Sequence, residues 1–274
     1  MNVKTFVLGV GAQKSGTTWL YEYMKLFENV DMGFMKEYSI FSNDLKNKKV
    51  NARRFLTSSK HRKRYYMMKS DEYYFDYFCG LLATEKIEIT GDISPSYATL
   101  KSDVFCRIYE GFQRRGVECK VVFLMRDPVE RCWSARRMIK RSHSLEESDE
   151  DLLLKYFRSK SAERRTRYDT TIKEIEKAFP ERNVYYGIYE EMFQNENIEK
   201  LSEFIGIQKK YQFKANKFNT TEKRSDISLE TKKKVADQFY EVYEFCARRF
   251  PVTRDIWAGY PLSCRETAPD PTGL

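Results

Sequence analysis

The sequence lacks the residue patterns of a metal site and of a membrane protein. It has only two histidines, and its six cysteines are scattered without a CxxC pair or a Cys/His cluster. Zinc sites need closely spaced ligands of those types, so we expect no metal. No stretch approaches the ~20 apolar residues of a membrane helix, and residues 1–10 are too short for a secretory signal. These absences predict a cytoplasmic protein.

Repeats, low-complexity tracts and Gly/Ser linkers are also missing, and the composition is globular, with 41% hydrophobic and 32% charged residues. Lys and Arg outnumber Asp and Glu by 49 to 40, which gives a net charge of +9. This surplus favours an anionic partner. It is concentrated in residues 46–69 and 131–167, although each stretch could also be a solvated helix face. No nucleic-acid-binding motif accompanies it.

Short apolar runs alternate with helical patterns along the chain. Strands are predicted at residues 5–10, 87–90, 120–125 and 183–188. Helices are predicted at residues 15–27, 100–115, 128–142, 164–179, 196–205 and 228–250. This order predicts a three-layer α/β fold, with a central parallel sheet flanked by helices and ligands beyond the carboxyl ends of the strands. We expect one domain over residues 1–256 and an extended tail over 257–274.

The first predicted strand runs into GAQKSGTTWL at residues 11–20, directly before a helix. Backbone N–H groups and the positive end of the helix dipole make such a turn an anion site. Lys14 adds a mobile charge, while Ser15, Thr17 and Thr18 add hydroxyl donors. A P-loop NTPase would place its lysine after the second glycine, as GxxxxGK[ST]. Here the lysine precedes Gly16, and the one candidate magnesium ligand, Asp92, is weak.

The third predicted strand ends in RDPVERCWS, residues 126–134. The guanidinium of Arg126 and the hydroxyl of Ser134 suit a phosphate monoester, because a planar fork can bind two oxygens and a short donor the third. For Arg131 we expect an ion pair with Glu130 or Asp127.

These two strings, in this order, resemble the sulfotransferases that use 3′-phosphoadenosine 5′-phosphosulfate (PAPS). The resemblance covers about residues 4–207 and implies a P-loop-type nucleotide-binding fold. It departs from the family at Gln13, where proline is usual. The 5′-phosphosulfate loop it implies consists of Gln13, Lys14, Ser15, Gly16, Thr17, Thr18 and Trp19. Arg126 and Ser134 would bind the 3′-phosphate.

Three further donor contacts implied by the resemblance have equal alternatives. Trp19 would stack on the adenine, or else belong to the core. Tyr189, in the string YEEM, resembles a residue near the adenine. Lys223 and Arg224 would form a basic loop that closes over the nucleotide, or else a solvated pair.

The resemblance also implies the catalytic groups. Lys14 would stabilise the bridging oxygen of the leaving nucleotide. The string MKEYSIF, residues 35–41, resembles KExxFF of the heparan-type and related bacterial enzymes, which makes Glu37 the general base and Lys36 a second cation near the sulfuryl group. A surface Lys–Glu pair is the alternative. His61 and His143 lie in basic, polar surroundings and are weaker candidates.

The string GDISPSY, residues 91–97, resembles the acceptor-side GEKSPSY and implies acceptor contacts from Ser94 and Tyr97. The family's lysine is missing, which favours a smaller or less anionic acceptor. Together these patterns predict metal-free, in-line sulfuryl transfer from PAPS to a hydroxyl or amine of a small-molecule or carbohydrate acceptor, with release of adenosine 3′,5′-bisphosphate (PAP). The alternatives are a P-loop nucleotide or small-molecule kinase and a non-catalytic polyanion binder. The acceptor itself is not specified.

Overall fold

The structure is a computed structural model that describes residues 3–42, 57–143, 146–208 and 226–263. The chain divides into two compact units. The first comprises Met1–Met125 with Thr170–Thr220, and the second comprises Arg126–Asp169 with Thr221–Leu274. Whether the chain acts as one domain over residues 1–256 stays a prediction.

A parallel sheet of five strands forms the centre of the first unit. The strands are β1 (Thr5–Gly11), β2 (Val30–Asp31), β3 (Ile89–Ile93), β4 (Glu118–Met125) and β5 (Val184–Ile188), in the order β2-β3-β1-β4-β5. Every residue of β1 and β3 is buried. Strands read as continuous apolar runs when helices cover both faces of a parallel sheet. The predicted α/β fold is therefore confirmed.

The described residues also form twelve α-helices and three short 3₁₀ segments. The helices are α1 (Thr17–Met24), α2 (Ser59–Lys69), α3 (Asp71–Leu82), α4 (Ser102–Gln113), α5 (Pro128–His143), α6 (Asp149–Tyr156), α7 (Lys160–Thr166), α8 (Tyr168–Glu176), α9 (Asn195–Ile205), α10 (Leu229–Gln238), α11 (Tyr240–Arg249) and α12 (Thr253–Ile256). The 3₁₀ segments are Pro95–Thr99, Glu181–Asn183 and Tyr260–Leu262. None of the described helices has the length and hydropathy needed to cross a membrane.

Aromatic side chains fill much of the core of the first unit. The Phe6 ring on β1 stacks on Phe112 of α4 at a centroid distance of 3.9 Å and meets Phe78 of α3 edge-on at 4.9 Å. Tyr74 packs against Phe78 at 4.9 Å. Large aromatic rings bury much apolar area and prefer such edge-on or offset contacts. Aromatic residues make up 15% of the chain, and core packing accounts for a good part of them.

Several predicted boundaries were wrong. The strand predicted at residues 87–90 is β3, which continues to Ile93 because Gly91 lets the chain pass the carbonyl of Val7, where a side chain would collide. The single helix predicted at 164–179 is interrupted at Arg167, whose ψ of 71° is not helical. The helix predicted at 228–250 breaks at Phe239, with φ −109° and ψ 21°.

In the second unit, Asp127 directly precedes α5 and accepts hydrogen bonds from its first turn and from two distant residues. One carboxylate oxygen accepts hydrogen bonds from the N–H of Val129 at 2.8 Å and the hydroxyl of Tyr243 at 2.8 Å. The other accepts from the N–H of Gly259 at 2.7 Å. Trp257 is only 1% exposed. The prediction of an extended tail is therefore wrong for residues 257–263, because this stretch is anchored to Asp127. Residues 264–274 lie outside the described part of the chain.

Candidate functional site

The turn between β1 and α1 has a backbone that few residues can adopt. Gly11, Lys14 and Gly16 all have positive φ, of 133°, 72° and 94°. The N–H of Ser15 donates to the carbonyl of Ala12 at 3.2 Å, which closes the coil. A β-carbon at position 16 would lie 2.7 Å from the sulfur of Met192. The Met192 side chain could shift to make room, so the positive φ of 94° is what favours glycine at position 16.

This turn presents the groups of an anion site. Gly16 is the N-cap of α1 and provides no capping side chain, while the first N–H groups of a helix have no acceptor within it. The Ser15 hydroxyl is fully buried and has no hydrogen-bond partner among the described residues. A buried orphan hydroxyl calls for an explanation, and a phosphate or sulfate oxygen supplies one. Lys14 belongs to the same turn, so these residues fit a phosphosulfate group.

Lys36 and Glu37, the predicted second cation and general base, lie beside this turn. The ammonium of Lys36 donates to the Thr18 hydroxyl at 2.6 Å and lies 3.1 Å from a carboxylate oxygen of Glu37. Thr18 is in the first turn of α1. The side chains of Lys36 and Glu37 are 29% and 45% exposed. A partly exposed carboxylate and the Lys36 ammonium thus lie next to the turn that contains Lys14.

Asp92, at the end of β3, has a role that sequence reasoning missed. It is fully buried. Its carboxylate accepts hydrogen bonds from the hydroxyls of Ser94 at 2.5 Å, Tyr97 at 2.7 Å and Tyr74 at 3.1 Å, and from the N–H of Tyr38 at 3.3 Å. Both oxygens therefore have protein partners, which does not suit a magnesium ligand. Burial raises the pKa of Asp92 to about 6, although its hydrogen bonds act in the opposite direction.

Ser94 and Tyr97 are also fully buried. Besides their bonds to Asp92, the Ser94 oxygen accepts from the N–H of Ser39 at 2.9 Å, and the Tyr97 oxygen accepts from the N–H of Ile40 at 2.9 Å. Direct acceptor contacts were expected from these two residues. That expectation needs correction, because neither side chain reaches the surface.

Two aromatic residues were candidates for the adenine contact. Tyr189 is half-buried, and its ring lies 3.2 Å from the point where a β-carbon of residue 16 would stand, so it flanks the turn. Trp19 is 1% exposed, stacks on Tyr23 at 4.9 Å and meets Phe193 edge-on at 5.6 Å. Of the two alternatives for Trp19, its position in this structure is that of a core residue.

In the second unit, Arg126 follows directly on β4. Its guanidinium donates to the Glu130 carboxylate at 3.0 Å. Ser134 lies one turn beyond Glu130 on α5 and is 7% exposed. Sequence reasoning did not assign a role to Arg137, which is 7% exposed and lies over the Trp133 ring at 4.6 Å. Burial lowers the pKa of Arg137, Glu130 raises it and Arg126 lowers it, so these three charges interact.

The expected ion pair of Arg131 was wrong. The Glu130 carboxylate binds Arg126, and the Asp127 carboxylate accepts from the groups that anchor the tail. Arg131 is instead fully buried, with one guanidinium nitrogen 2.8 Å from the sulfur of Cys132 and the Tyr156 ring centroid 5.8 Å away.

The remaining predicted residues are not placed in the site. His61 and His143 are exposed, and each hydrogen-bonds to a nearby serine, Ser58 at 3.0 Å and Ser142 at 2.8 Å respectively. Lys223 and Arg224 lie outside the described residues. Within the described ranges, no group of three or more His, Cys, Asp or Glu side chains could hold a metal ion.

The fold and the turn after β1 define a parallel α/β protein with a phosphate-binding loop of the mononucleotide type. The family model of the sulfotransferase domain matches residues 4–241. The chain therefore belongs to the sulfotransferase family.

One solved structure supports the fold, and a second is a weaker match. A sulfotransferase from Alicyclobacillus acidocaldarius matches with a TM-score of 0.63 at 16% identity, covering 92% of this chain and 97% of that one. Mouse sulfotransferase SULT7A1 complexed with PAP matches with a TM-score of 0.45 at 15% identity, covering 92% and 87%. The comparison with curated proteins gave no match.

The buried carboxylate of Asp92 gives a testable pH dependence of stability. Because its pKa is higher in the folded protein than in the unfolded chain, protonation of Asp92 favours the folded state at low pH. This stabilisation is lost as the pH rises through about 6. An unfolded Asp titrates near pH ~4. Between these values, we expect the free energy of unfolding of the wild type to fall by up to about 3 kcal/mol relative to Asp92→Asn.

Urea unfolding of both proteins from about pH 4 to about pH 7 measures this difference, because groups common to both cancel. A difference that stays constant or grows in favour of the wild type with rising pH would contradict the assignment.

Proposed function

We propose that the chain transfers a sulfuryl group from PAPS to a hydroxyl or amine of a small-molecule or carbohydrate acceptor and releases PAP. The observation that supports this most is the hydrogen bond from Lys36 to Thr18, which brings Glu37 to the anion-binding turn. Family membership supplies the reaction class.

The turn after β1 would bind the 5′-phosphosulfate. Main-chain N–H groups of the first turn of α1 and the buried Ser15 hydroxyl would donate to its oxygens. As the bond between sulfur and the bridging oxygen breaks, negative charge grows on that oxygen. Lys14 and Lys36 would offset this charge, in the manner of the cations at phosphoryl-transfer sites. Tyr189, beside Gly16, is the candidate for the adenine contact.

Arg126 and Ser134 would bind the 3′-phosphate, and we add Arg137, a largely buried cation three residues after Ser134 on α5. The Arg126 guanidinium pairs with Glu130 in the structure. A phosphate dianion would compete for this guanidinium and form the stronger, bidentate contact.

Glu37 would take the proton from the acceptor as its oxygen or nitrogen bonds to sulfur. Its carboxylate is partly exposed, so an acceptor can reach it. The adjacent Lys36 ammonium would help to hold it in place.

Arg126→Ala tests the assignment of the 3′-phosphate. We expect the Kd for PAP, measured by isothermal titration calorimetry, to rise about 10- to 100-fold, because a charge-assisted hydrogen bond is lost. Arg158→Ala, which removes an exposed arginine of the same unit, should leave the Kd unchanged. Equal affinities of wild type and Arg126→Ala would refute the assignment.

Lys14→Ala tests the leaving-group assignment. We expect kcat for transfer from labelled PAPS to fall about 10²- to 10³-fold, since a transition-state charge loses its partner. Circular dichroism should show an unchanged fold, and Lys25→Ala, at an exposed position just after α1, should be fully active. Activity of Lys14→Ala within a few-fold of wild type would be incompatible with this role.

Glu37→Gln tests the general base. We expect a fall in kcat of about 10²- to 10⁴-fold at neutral pH, because the amide cannot accept the proton. Glu28→Gln, at an exposed position, is the matched control. Full activity of Glu37→Gln would exclude the glutamate as base.

A further inference from the structure

We infer that Asp92, acting through Ser94 and Tyr97, is a positioning residue for the catalytic pair Lys36 and Glu37. This inference rests on the proposed function, because it concerns how that site is held. None of the three residues needs to touch substrate.

The segment of residues 38–40 directly follows Glu37, and its main-chain N–H groups all have side-chain acceptors. The N–H groups of residues 38, 39 and 40 donate respectively to Asp92 at 3.3 Å, Ser94 at 2.9 Å and Tyr97 at 2.9 Å. The hydroxyls of Ser94 and Tyr97 in turn donate to Asp92. Three consecutive amides are thus fixed by one carboxylate and the two hydroxyls that it orients.

The same segment has anchors on its other sides. The Arg64 guanidinium donates to the carbonyl of Tyr38 at 3.0 Å, and the Lys36 ammonium donates to Thr18 at 2.6 Å. Glu37 is therefore preceded by a residue with an anchored side chain and followed by an anchored main chain, while its own carboxylate remains 45% exposed. Such an arrangement restricts where the carboxylate can reach without burying it, which is what pre-organisation of a base requires.

The chemistry of position 92 agrees with this role. Four donors meet there, and only a group that accepts without donating satisfies all of them. An asparagine at position 92 would replace one accepting oxygen by an NH₂ group, which cannot accept the hydrogen bonds that these donors make. The titratable and charged groups that face Asp92 are Tyr38, Tyr74, Tyr97 and Arg64. A buried charge is costly, so its presence next to the proposed base favours a function over simple packing.

Two tyrosines provide a matched pair of variants. Tyr74 and Tyr97 are both fully buried, and both donate to the same oxygen of Asp92, at 3.1 and 2.7 Å. Only Tyr97 also accepts the N–H of Ile40. Tyr97→Phe and Tyr74→Phe therefore each remove one hydrogen bond to the Asp92 carboxylate. Only Tyr97→Phe also removes the acceptor of the N–H of Ile40.

We expect Tyr97→Phe to lower kcat about 10- to 100-fold, the effect of a small misplacement of a catalytic group, with KM for PAPS and Kd for PAP within about two-fold of wild type. Tyr74→Phe should retain kcat within about two-fold. Hydrogen exchange should become faster in residues 38–40 of Tyr97→Phe and stay slow there in Tyr74→Phe. Ser94→Ala, which frees the N–H of Ser39, should behave as Tyr97→Phe and replaces it if that variant fails to fold.

Equal kcat values and equal exchange of the segment in Tyr97→Phe and Tyr74→Phe would overturn the inference, while a wild type that binds PAP and transfers sulfate would still support the proposed function. A wild type that binds no PAP would overturn the proposed function and this inference with it.

Discussion

The site depends on the conformation of residues 11–16, where a buried strand turns into a helix over six residues. Three of them, Gly11, Lys14 and Gly16, have positive φ, which L side chains rarely adopt. This coil leaves main-chain donors at the start of α1 and buries the Ser15 hydroxyl with them. Anion binding at a helix N-terminus follows from that geometry. The Lys36 ammonium donates a hydrogen bond to Thr18, in the first turn of α1. The proposed base next to it, Glu37, is therefore also positioned relative to residues 11–16.

Much of this was readable from the sequence, because it rests on local patterns. The apolar run of residues 5–10 followed by the string 11–20 predicts a strand, a turn and a helix, and the structure has these elements in that order. The alternation of apolar runs and helical segments predicts the parallel sheet. The resemblance at residues 35–41 indicated Lys36 and Glu37, and in the structure Lys36 donates a hydrogen bond to Thr18 in the first turn of α1. Their catalytic roles stay predictions.

The rest depends on contacts between residues far apart in the chain. Asp92 reads as an isolated acid in GDISPSY, and its partners Tyr38 and Tyr74 come from separate segments. Arg131 directly follows Glu130 and lies four residues after Asp127, yet both acids have other partners. The anchoring of Trp257–Ser263 depends on Asp127, some 130 residues earlier. The breaks at Arg167 and Phe239 carry no proline or glycine signal.

The account claims that this chain holds a 3′,5′-bisphosphorylated adenosine through its own cations and main-chain donors. Calorimetric titration of the purified wild type with PAP in the presence of EDTA, followed by ATP with Mg²⁺ in a second titration, tests that claim most directly. The account predicts that PAP binds without a divalent ion and that ATP with Mg²⁺ binds far more weakly. Absence of PAP binding, or a preference for ATP with Mg²⁺, would contradict it.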